Sequence, residues 1–408
     1  LLNLKRDYNE LKSSAGVTEL FLHNYRNYSS LNLQLEARPV VLMGPNGAGK
    51  TNLLEALSFL SPGRGLRSAK LAQVTNVCTD KEIKDHFLWT VSAQLDNDIT
   101  LGTGLELTPM GKEKRIVKIQ GEMAKSQSVL TEWLSVVWVT PQMDRLFLDA
   151  SSSRRKFIDR FVYARDSQHA ERVNRYDHAL RERSTLLREN RFDELWVKTL
   201  EEKLSADGVA ITIARRDLVN DLNASQYWGH GEDRQYPFPR FRAYMSGEID
   251  QWIDKGESAI VMEERMAEKL KEARREDAAT GGSSIGPHRS DLKVQHLAKN
   301  LLAEYCSTGE QKILLLAITL AFIKQEVPSK MRLILLLLDD VVAHLDFTHR
   351  MVLFGEISAF DQVLSSNGYK GGGLQTWMTG TDSSSFQPLL EHAQFFNVNN
   401  STLTHGFY

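Results

Sequence analysis

Pro39-Val40-Val41-Leu42-Met43-Gly44-Pro45-Asn46-Gly47-Ala48-Gly49-Lys50-Thr51 is a short apolar, β-branched run that enters a loop of the form G-x-x-x-x-G-K-[ST]. Asn52 to Leu60 follows with Leu53, Leu57 and Leu60 spaced along one helix face. Strand, glycine loop and helix, in that order, are the setting a phosphate-cradling loop requires. Gly44, Gly47 and Gly49 let the backbone curl so that successive N–H groups converge on phosphate oxygens. The helix beginning near Lys50 adds the positive end of its dipole. Nucleotide contacts are therefore expected from Gly44, Pro45, Asn46, Gly47, Ala48, Gly49, Lys50, Thr51 and Asn52. Lys50 is expected to reach the β and γ phosphates as a catalytic cation, and the Thr51 hydroxyl to hold Mg²⁺. The bland alternative is a chance glycine-rich turn, which the flanking strand and helix disfavour. No Asn-Lys-x-Asp guanine-reading motif is present, which favours ATP over GTP.

Nearly 300 residues later, Arg332-Leu333-Ile334-Leu335-Leu336-Leu337-Leu338-Asp339-Asp340 reads as a central parallel strand, apolar on both faces, ending in two carboxylates. Asp339 at its tip is expected to hold Mg²⁺, and Asp340 to orient or deprotonate an attacking water. A buried helix ending in solvated acids is the alternative, but charge bounds the run after only six apolar residues. Upstream, Ser307-Thr308-Gly309-Glu310 has the S-x-x-E spacing of a capping box, ahead of the apolar run Ile313–Ala317. Taken alone it is an ordinary helix cap. Its backbone N–H groups also make it a candidate anion site. Its place roughly twenty residues before the Asp339 strand resembles the signature of ABC-type ATPases, which implies nucleotide contacts from Ser307, Thr308, Gly309 and Glu310.

The bulk composition excludes several classes. A chain of 408 residues, 42% hydrophobic and 25% charged, has the composition of a globular protein with room for more than one domain. The longest apolar runs fall well short of the roughly 20 residues a membrane helix needs, so no membrane span is expected. Residues Leu1 to Gly16 carry five charged side chains and no apolar centre, unlike a secretory signal. Cys78 and Cys306 fit no zinc pattern and imply no oxidising compartment, so a cytoplasmic protein is expected. A net charge of −2 gives no global attraction to nucleic acid, so any DNA contact must come from local basic patches.

The order of these parts resembles ABC-type ATPases. In that class a signature, usually Leu-Ser-Gly-Gly-Gln, stands where Ser307–Glu310 stands, and a D-loop stands where Ala343-His344-Leu345-Asp346 follows the acids. Further segments resemble the RecF family. These are Phe21 to Tyr28 with its N-[FY]-R-N turn, the basic loop Ser61 to Arg67, and Phe147 to Asp159 with its R-R-x-F-[LI]-D segment. Gly286-Pro287-His288-Arg289-Ser290-Asp291 matches G-P-H-R-x-D, and Trp377 to Asp382 stands at the switch strand. The resemblance spans about Val17 to Tyr408. It implies an α/β fold, an ABC/SMC-like P-loop ATPase head with an inserted helical lobe. It also implies an ATP-dependent homodimer in which the signature of one copy covers the γ-phosphate of the other. Further implications are binding to duplex DNA near single-strand gaps, slow hydrolysis, partnership with RecR and RecO, and help in loading RecA. Gln142, near a Q-loop position, is a candidate metal ligand. Three departures stand out. Aspartate replaces the usual glutamate at position 340, which predicts slow turnover. Thr379 and Thr381 stand where a switch histidine is usual, and Thr308 replaces a signature glycine.

The expected organisation is an extension over 1–16, a first ATPase half over 17–150, a helical insertion over 151–284, and a second ATPase half over 285–408. Helix is expected through Glu171–Arg183 and Leu195–Leu222, and the turn Thr280 to Ser284 marks the return. Between Ser151 and Arg191, 11 Lys/Arg stand against 6 Asp/Glu, an excess of five. That run is either a salt-bridged solvent face or a phosphate-contacting one. Arg64, Arg67, Arg154, Arg155 and Lys156 are the candidate DNA contacts. Rival readings are a transporter nucleotide-binding subunit, a chromosome-maintenance-type DNA tether, and an overcoming-lysogenization-type nuclease, whose acidic metal-binding domain has no counterpart here.

Overall fold

The computed structural model describes residues 16–76, 87–108, 110–189, 193–225, 238–329, 332–366 and 373–407. The expectations for residues 1–15 of the N-terminal extension, and for Cys78, lie outside the described residues. Packing divides the chain into two units, Leu1–Met143 with Ile323–Tyr408, and Asp144–Phe322.

The first unit holds two six-stranded sheets. One is antiparallel: β1 (Val17–Tyr25), β2 (Tyr28–Gln34), β4 (Phe87–Leu95), β5 (Thr100–Leu107), β6 (Glu113–Ile119) and β7 (Glu122–Met123), in the order β2-β1-β4-β5-β6-β7. Leu22 stands opposite Leu31 on one side and Val91 on the other, so the apolar positions of neighbouring strands share a face. The second sheet contains β3 (Val40–Met43), β8 (Leu134–Val139), β12 (Leu333–Leu338), β13 (Leu374–Gly380), β14 (Gln394–Asn399) and β15 (Thr402–His405). Its order is β15-β14-β3-β13-β12-β8, parallel throughout except for β15. Every residue of β3, β12 and β13 is buried, as the unbroken apolar run of β12 requires for a strand covered on both faces. Helix α1 (Lys50–Ser58) leaves β3 through the glycine loop. It is buried on more than the one expected face: Leu53, Leu54, Ala56 and Leu57 all sit in the core.

Two buried glutamines tie this unit together. The Gln375 side chain, from β13, accepts from the N–H of Val17 at 3.0 Å and donates to the carbonyls of Val17, Glu36 and Arg38. Gln394 likewise donates to Glu36 and Arg38 and accepts from the N–H of Glu36. Buried amides are tolerated because their donors and acceptors are met.

The second unit is largely helical: α2 (Ser151–Arg165), α3 (Ser167–Glu189), α4 (Glu194–Ser225), α5 (Glu248–Asp254), α6 (Ala259–Glu272), α7 (Arg274–Thr280) and the start of α8 (Thr308–Ser329). α9 (Phe347–Ser366) belongs to the first unit. The helices expected over Glu171–Arg183 and Leu195–Leu222 are the central parts of α3 and α4. The second unit also contains a three-stranded sheet that was not expected, β11 (Leu301–Leu302), β10 (Asp291–His296) and β9 (Phe241–Ser246). β9 buries Phe241, Ala243 and Met245 and exposes the residues between them. The Asn223 side chain caps its edge, bonding both the N–H and the carbonyl of Ala243 at 2.8 Å.

That sheet changes the expected boundary. The turn at Thr280 to Ser284 does not end the second unit, because β10 pairs with β9 and carries residues 285–322 along with it. The Gly286 to Asp291 segment is a junction inside this unit. His288 bonds the Tyr176 hydroxyl at 2.7 Å, the Pro287 carbonyl accepts from Arg215, and Ser290 donates to Asp250. Asp291 accepts from two of the three nitrogens of the Arg154 guanidinium, Nε at 2.7 Å and Nη2 at 2.9 Å. Phe161 of α2 stacks on Phe322 of α8 with ring centroids 4.4 Å apart, which holds the start of α8 in the same unit.

Arg154 is therefore not a DNA contact. It is buried, and its remaining donor is met by the carbonyls of Leu146, Phe147 and Asp149. Two further arginines are interior. Arg183 joins Glu201 and Asp277, and Arg215 holds Asp159 by two bonds of 2.7 Å while His169 bonds the same carboxylate at 2.9 Å. Part of the basic excess in this run is thus spent on buried pairs. Breaking one partner of such a pair is costly because a bare charge remains. Arg154→Ala is expected to destabilise the protein by about 3 kcal/mol, read as a lower urea midpoint. An unchanged midpoint would return Arg154 to the surface.

Burial alone would raise the Asp159 carboxyl, but Arg215 and His169 outweigh it and hold the group down at about 2. A carboxyl whose folded value lies below its unfolded one adds stability that is full above the unfolded value, and that stability is lost as pH falls through the folded one. Stability should therefore drop between about pH 4 and pH 2. In Asp159→Asn, acid unfolding followed by circular dichroism should show a shallower slope across that window.

Candidate functional site

The sheet order explains the site. β3 delivers the phosphate loop, β12 delivers Asp339 one residue past its end, and β13 lies between them. Their C-terminal ends open on a cleft of about 250 Å³ lined by Asn46, Gly47, Gly49, Lys50, Thr51, Asn52, Arg67, Pro141, Asp339, Asp340, Thr379 and Thr381. Parallel sheets place ligand sites at this edge. Residues 288 positions apart meet here: the Thr51 hydroxyl donates to Asp339 Oδ1 at 2.8 Å.

The loop could not be built from other residues. Gly49 has φ +112°, and a Cβ there would stand 2.4 Å from the Asn27 amide nitrogen. Gly44 has φ +145°, with the Val398 carbonyl oxygen 2.1 Å from where a Cβ would be. Asn27 steadies the loop from the β1–β2 turn. It donates to Ser401 Oγ at 2.7 Å and accepts from the Asn52 amide at 2.6 Å. Lys50 Nζ donates to the carbonyls of Gly44 and Pro45 at 2.6 and 2.8 Å. Burial lowers its pKa, opposed by the charges of Asp340 and Asp339.

The two acids differ. Asp339 is 7% exposed and its pKa is raised. Burial is the cause, offset in part by hydrogen bonds from Thr51 and Thr379 and by the charge of Arg67, while Asp340 adds to the rise. Asp340 has φ +51°, a left-handed conformation that costs a non-glycine residue roughly 1–2 kcal/mol. Its N–H is held by Thr379 Oγ1 at 2.8 Å. A hydroxyl beside a carboxylate is a pair of hard oxygen donors, and together with phosphate oxygens and water it suits Mg²⁺. Among the described residues no cluster of three or more His, Cys, Asp or Glu side chains offers an all-protein metal cage.

The remaining expected residues are scattered. Gln142 is exposed on a 3-10 turn over Pro141–Arg145, and its neighbour Pro141 is the one that lines the cleft. Arg67, expected on DNA, lines the cleft instead. It donates to Asn52 Oδ1 at 2.8 Å and lies 3.5 Å from Glu55. Arg64 and Lys156 are exposed, and Arg155 is half-buried, donating to the Ser290 carbonyl at 2.7 Å. Ser307, Thr308, Gly309 and Glu310 lie in the second unit. There the capping box forms: the Ser307 N–H donates to Glu310 at 2.9 Å, and the Glu310 N–H faces Ser307 Oγ at 3.4 Å. Lys299 and the Ser307 N–H hold the Glu310 carboxyl down at about 2. Ser307, Thr308 and Gly309 are exposed.

Sequence reasoning missed the roles of Asn27 and Arg67, and the two hydrogen bonds made by Thr379. A larger groove of about 1120 Å³ in the second unit has seven carboxylates, Asp193 and Glu272 among them, against three cations. Its charge repels a triphosphate.

The RecF/RecN/SMC N terminal domain family matches residues 16–364. The DNA replication and repair protein RecF of Agrobacterium fabrum is 38% identical over 394 residues, covering 97% of this chain and 100% of its own. That of Allorhizobium ampelinum is 39% identical over 393 residues, covering 95% and 98%. Among solved structures, the recombination mediator protein RecF-ATPrS in the RecFOR pathway superposes with a TM-score of 0.77 at 21% identity. That match covers 97% of this chain and 99% of the other. It shows that the fold is shared across nearly the whole length. On the family match over residues 16–364 and the 38–39% identity over nearly the whole of both chains, the chain belongs to the RecF family.

Proposed function

We propose that this protein is an ATP-dependent DNA-binding protein of recombinational repair that closes as a homodimer on ATP. The observation that carries the reading is the contact between Thr51 and Asp339, which joins the phosphate loop to the acid pair. Lys50 neutralises the β and γ phosphates, and the N-terminus of α1 faces them. Thr51 and Asp339 would hold Mg²⁺, which would offset the charge of the phosphates. Asp340 orients the attacking water. As the bond from water to the γ-phosphorus forms, the bond to the β–γ bridging oxygen breaks, ADP leaves, and the water proton passes to Asp340 or to phosphate. Aspartate reaches less far than glutamate, so turnover is slow.

Ser307 and Gly309 of a second copy are proposed to cover the γ-phosphate. Two aromatic side chains support an interface of this kind. Tyr305, beside the signature, is 71% exposed, and Phe347, just after the D-loop, is 67% exposed. Arg64, Lys156 and half-buried Arg155 are the DNA contacts that remain, a phosphate-directed set without base reading. Duplex near single-strand gaps is the proposed substrate, with RecR and RecO as partners and RecA loading as the outcome, in the cytoplasm. Among the described residues no helix is long and apolar enough to cross a membrane.

Sedimentation velocity with ATP, Mg²⁺ and gapped duplex tests the reading. The wild type should dimerise, Lys50→Met should remain monomeric, and Asp340→Asn should accumulate as dimer with turnover slowed at least ~tenfold. A Lys50→Met protein that dimerises as the wild type does would contradict it.

A further inference from the structure

β13 lies between β3 and β12, so its last residues sit between the phosphate loop and the acids. Thr379 opposes Leu42 of β3, while its neighbour Met378 opposes Leu338 of β12, which puts Thr379 level with Asp339. It is 1% exposed. Its hydroxyl donates to Asp339 Oδ1 at 2.9 Å and accepts from the N–H of Asp340 at 2.8 Å. A hydroxyl has one proton and two lone pairs, so this single group engages both acids at once.

The consequence lies in where Asp340 points. Consecutive residues of an extended strand send their side chains to opposite faces. Asp339 and Asp340 nevertheless line the same cleft. The left-handed turn at Asp340, φ +51°, is what breaks the alternation, and the bond to Thr379 holds that turn. Thr379 touches the acids with the hydroxyl that a phosphate sensor would need free. Thr381, two residues on, is exposed and lines the cleft.

We propose that Thr379 is a positioning residue for ATP hydrolysis, locking the acid pair so that Asp340 faces the attacking water. The proposal rests on the reading that Asp340 acts on that water. Thr379→Val keeps the shape and removes the hydroxyl, whereas Thr379→Ser keeps the hydroxyl. Full-length protein is assayed for steady-state turnover and for equilibrium ATP binding. Thr379→Val should lose at least ~tenfold in kcat with ATP affinity within about threefold of wild type, and Thr379→Ser should stay within about threefold in both. Thr379→Val combined with Asp340→Asn should be no slower than Asp340→Asn alone, because both changes remove one function. If Thr379→Val does not fold, as judged by near-ultraviolet circular dichroism, Thr379→Ala carries the same expectations. Equal losses in the serine and valine variants, a loss confined to affinity, or unchanged kcat in Thr379→Val while Asp340→Asn is slow would overturn the proposal alone. Normal turnover in Asp340→Asn would instead remove the reading beneath it, and the proposal with it.

Discussion

A hydroxyl and a carboxylate 2.8 Å apart, Thr51 and Asp339, constrain the rest of the first unit. Thr51 follows β3 and Asp339 follows β12, strands that are not neighbours, so β13 must run between β3 and β12 at a fixed register. That register in turn depends on an unbroken apolar interior. Any polar residue within Leu333–Leu338 would be buried with no partner. The buried glutamines on β13 and β14 are the permitted exceptions: both bond Glu36 and Arg38 ahead of β3, and Gln375 also bonds Val17 of β1. The fold is thus organised to bring a flexible glycine loop and a rigid acid tip to the same edge of a sheet.

Electrostatics sharpen that arrangement. Two aspartates and a lysine share one small cleft, and burial works against the charge on Asp339 and on Lys50. The charges of Asp340 and Asp339 steady Lys50, while hydrogen bonds from Thr51 and Thr379 and the charge of Arg67 steady Asp339. Arg26 adds a second tier: it grips Glu55 of α1 through two bonds, at 2.7 and 2.8 Å, and Glu55 also faces Arg67. The phosphate-loop helix is therefore fixed from behind by a buried carboxylate while its N-terminus stays open to anions. The second unit uses the same device for a different end. Arg154, Arg183 and Arg215 are spent inside it, joining elements that sequence spacing leaves far apart.

Much of this was legible in the residues. The phosphate loop, the acid pair and the capping box are local patterns whose geometry follows from a few consecutive residues, and all three form. Helices α3 and α4 were legible from long polar periodicity. The three-stranded sheet was not, because β9 is six residues long and its partner β10 lies 50 positions on, a pairing that no local pattern encodes. The basic run after Ser151 misled for a related reason. Charge counts cannot tell an arginine facing solvent from one facing Asp291, and Arg154 is the latter. Thr379 was visible only as a departure from a histidine. Its proposed role depends on a left-handed residue just past the end of the adjacent strand, which sequence does not display.

The convergence of the two chain segments on one Mg²⁺–triphosphate is tested most directly by a double-mutant cycle on ATP binding. Titration calorimetry with and without Mg²⁺ would compare the wild type, Thr51→Ala, Asp339→Ala and the double variant. Each single change should remove most of the Mg²⁺-dependent gain in affinity, and the double variant should lose no more than either alone. Fully additive losses, or a Mg²⁺-dependent gain that survives in Asp339→Ala, would mean that the two segments do not share a site.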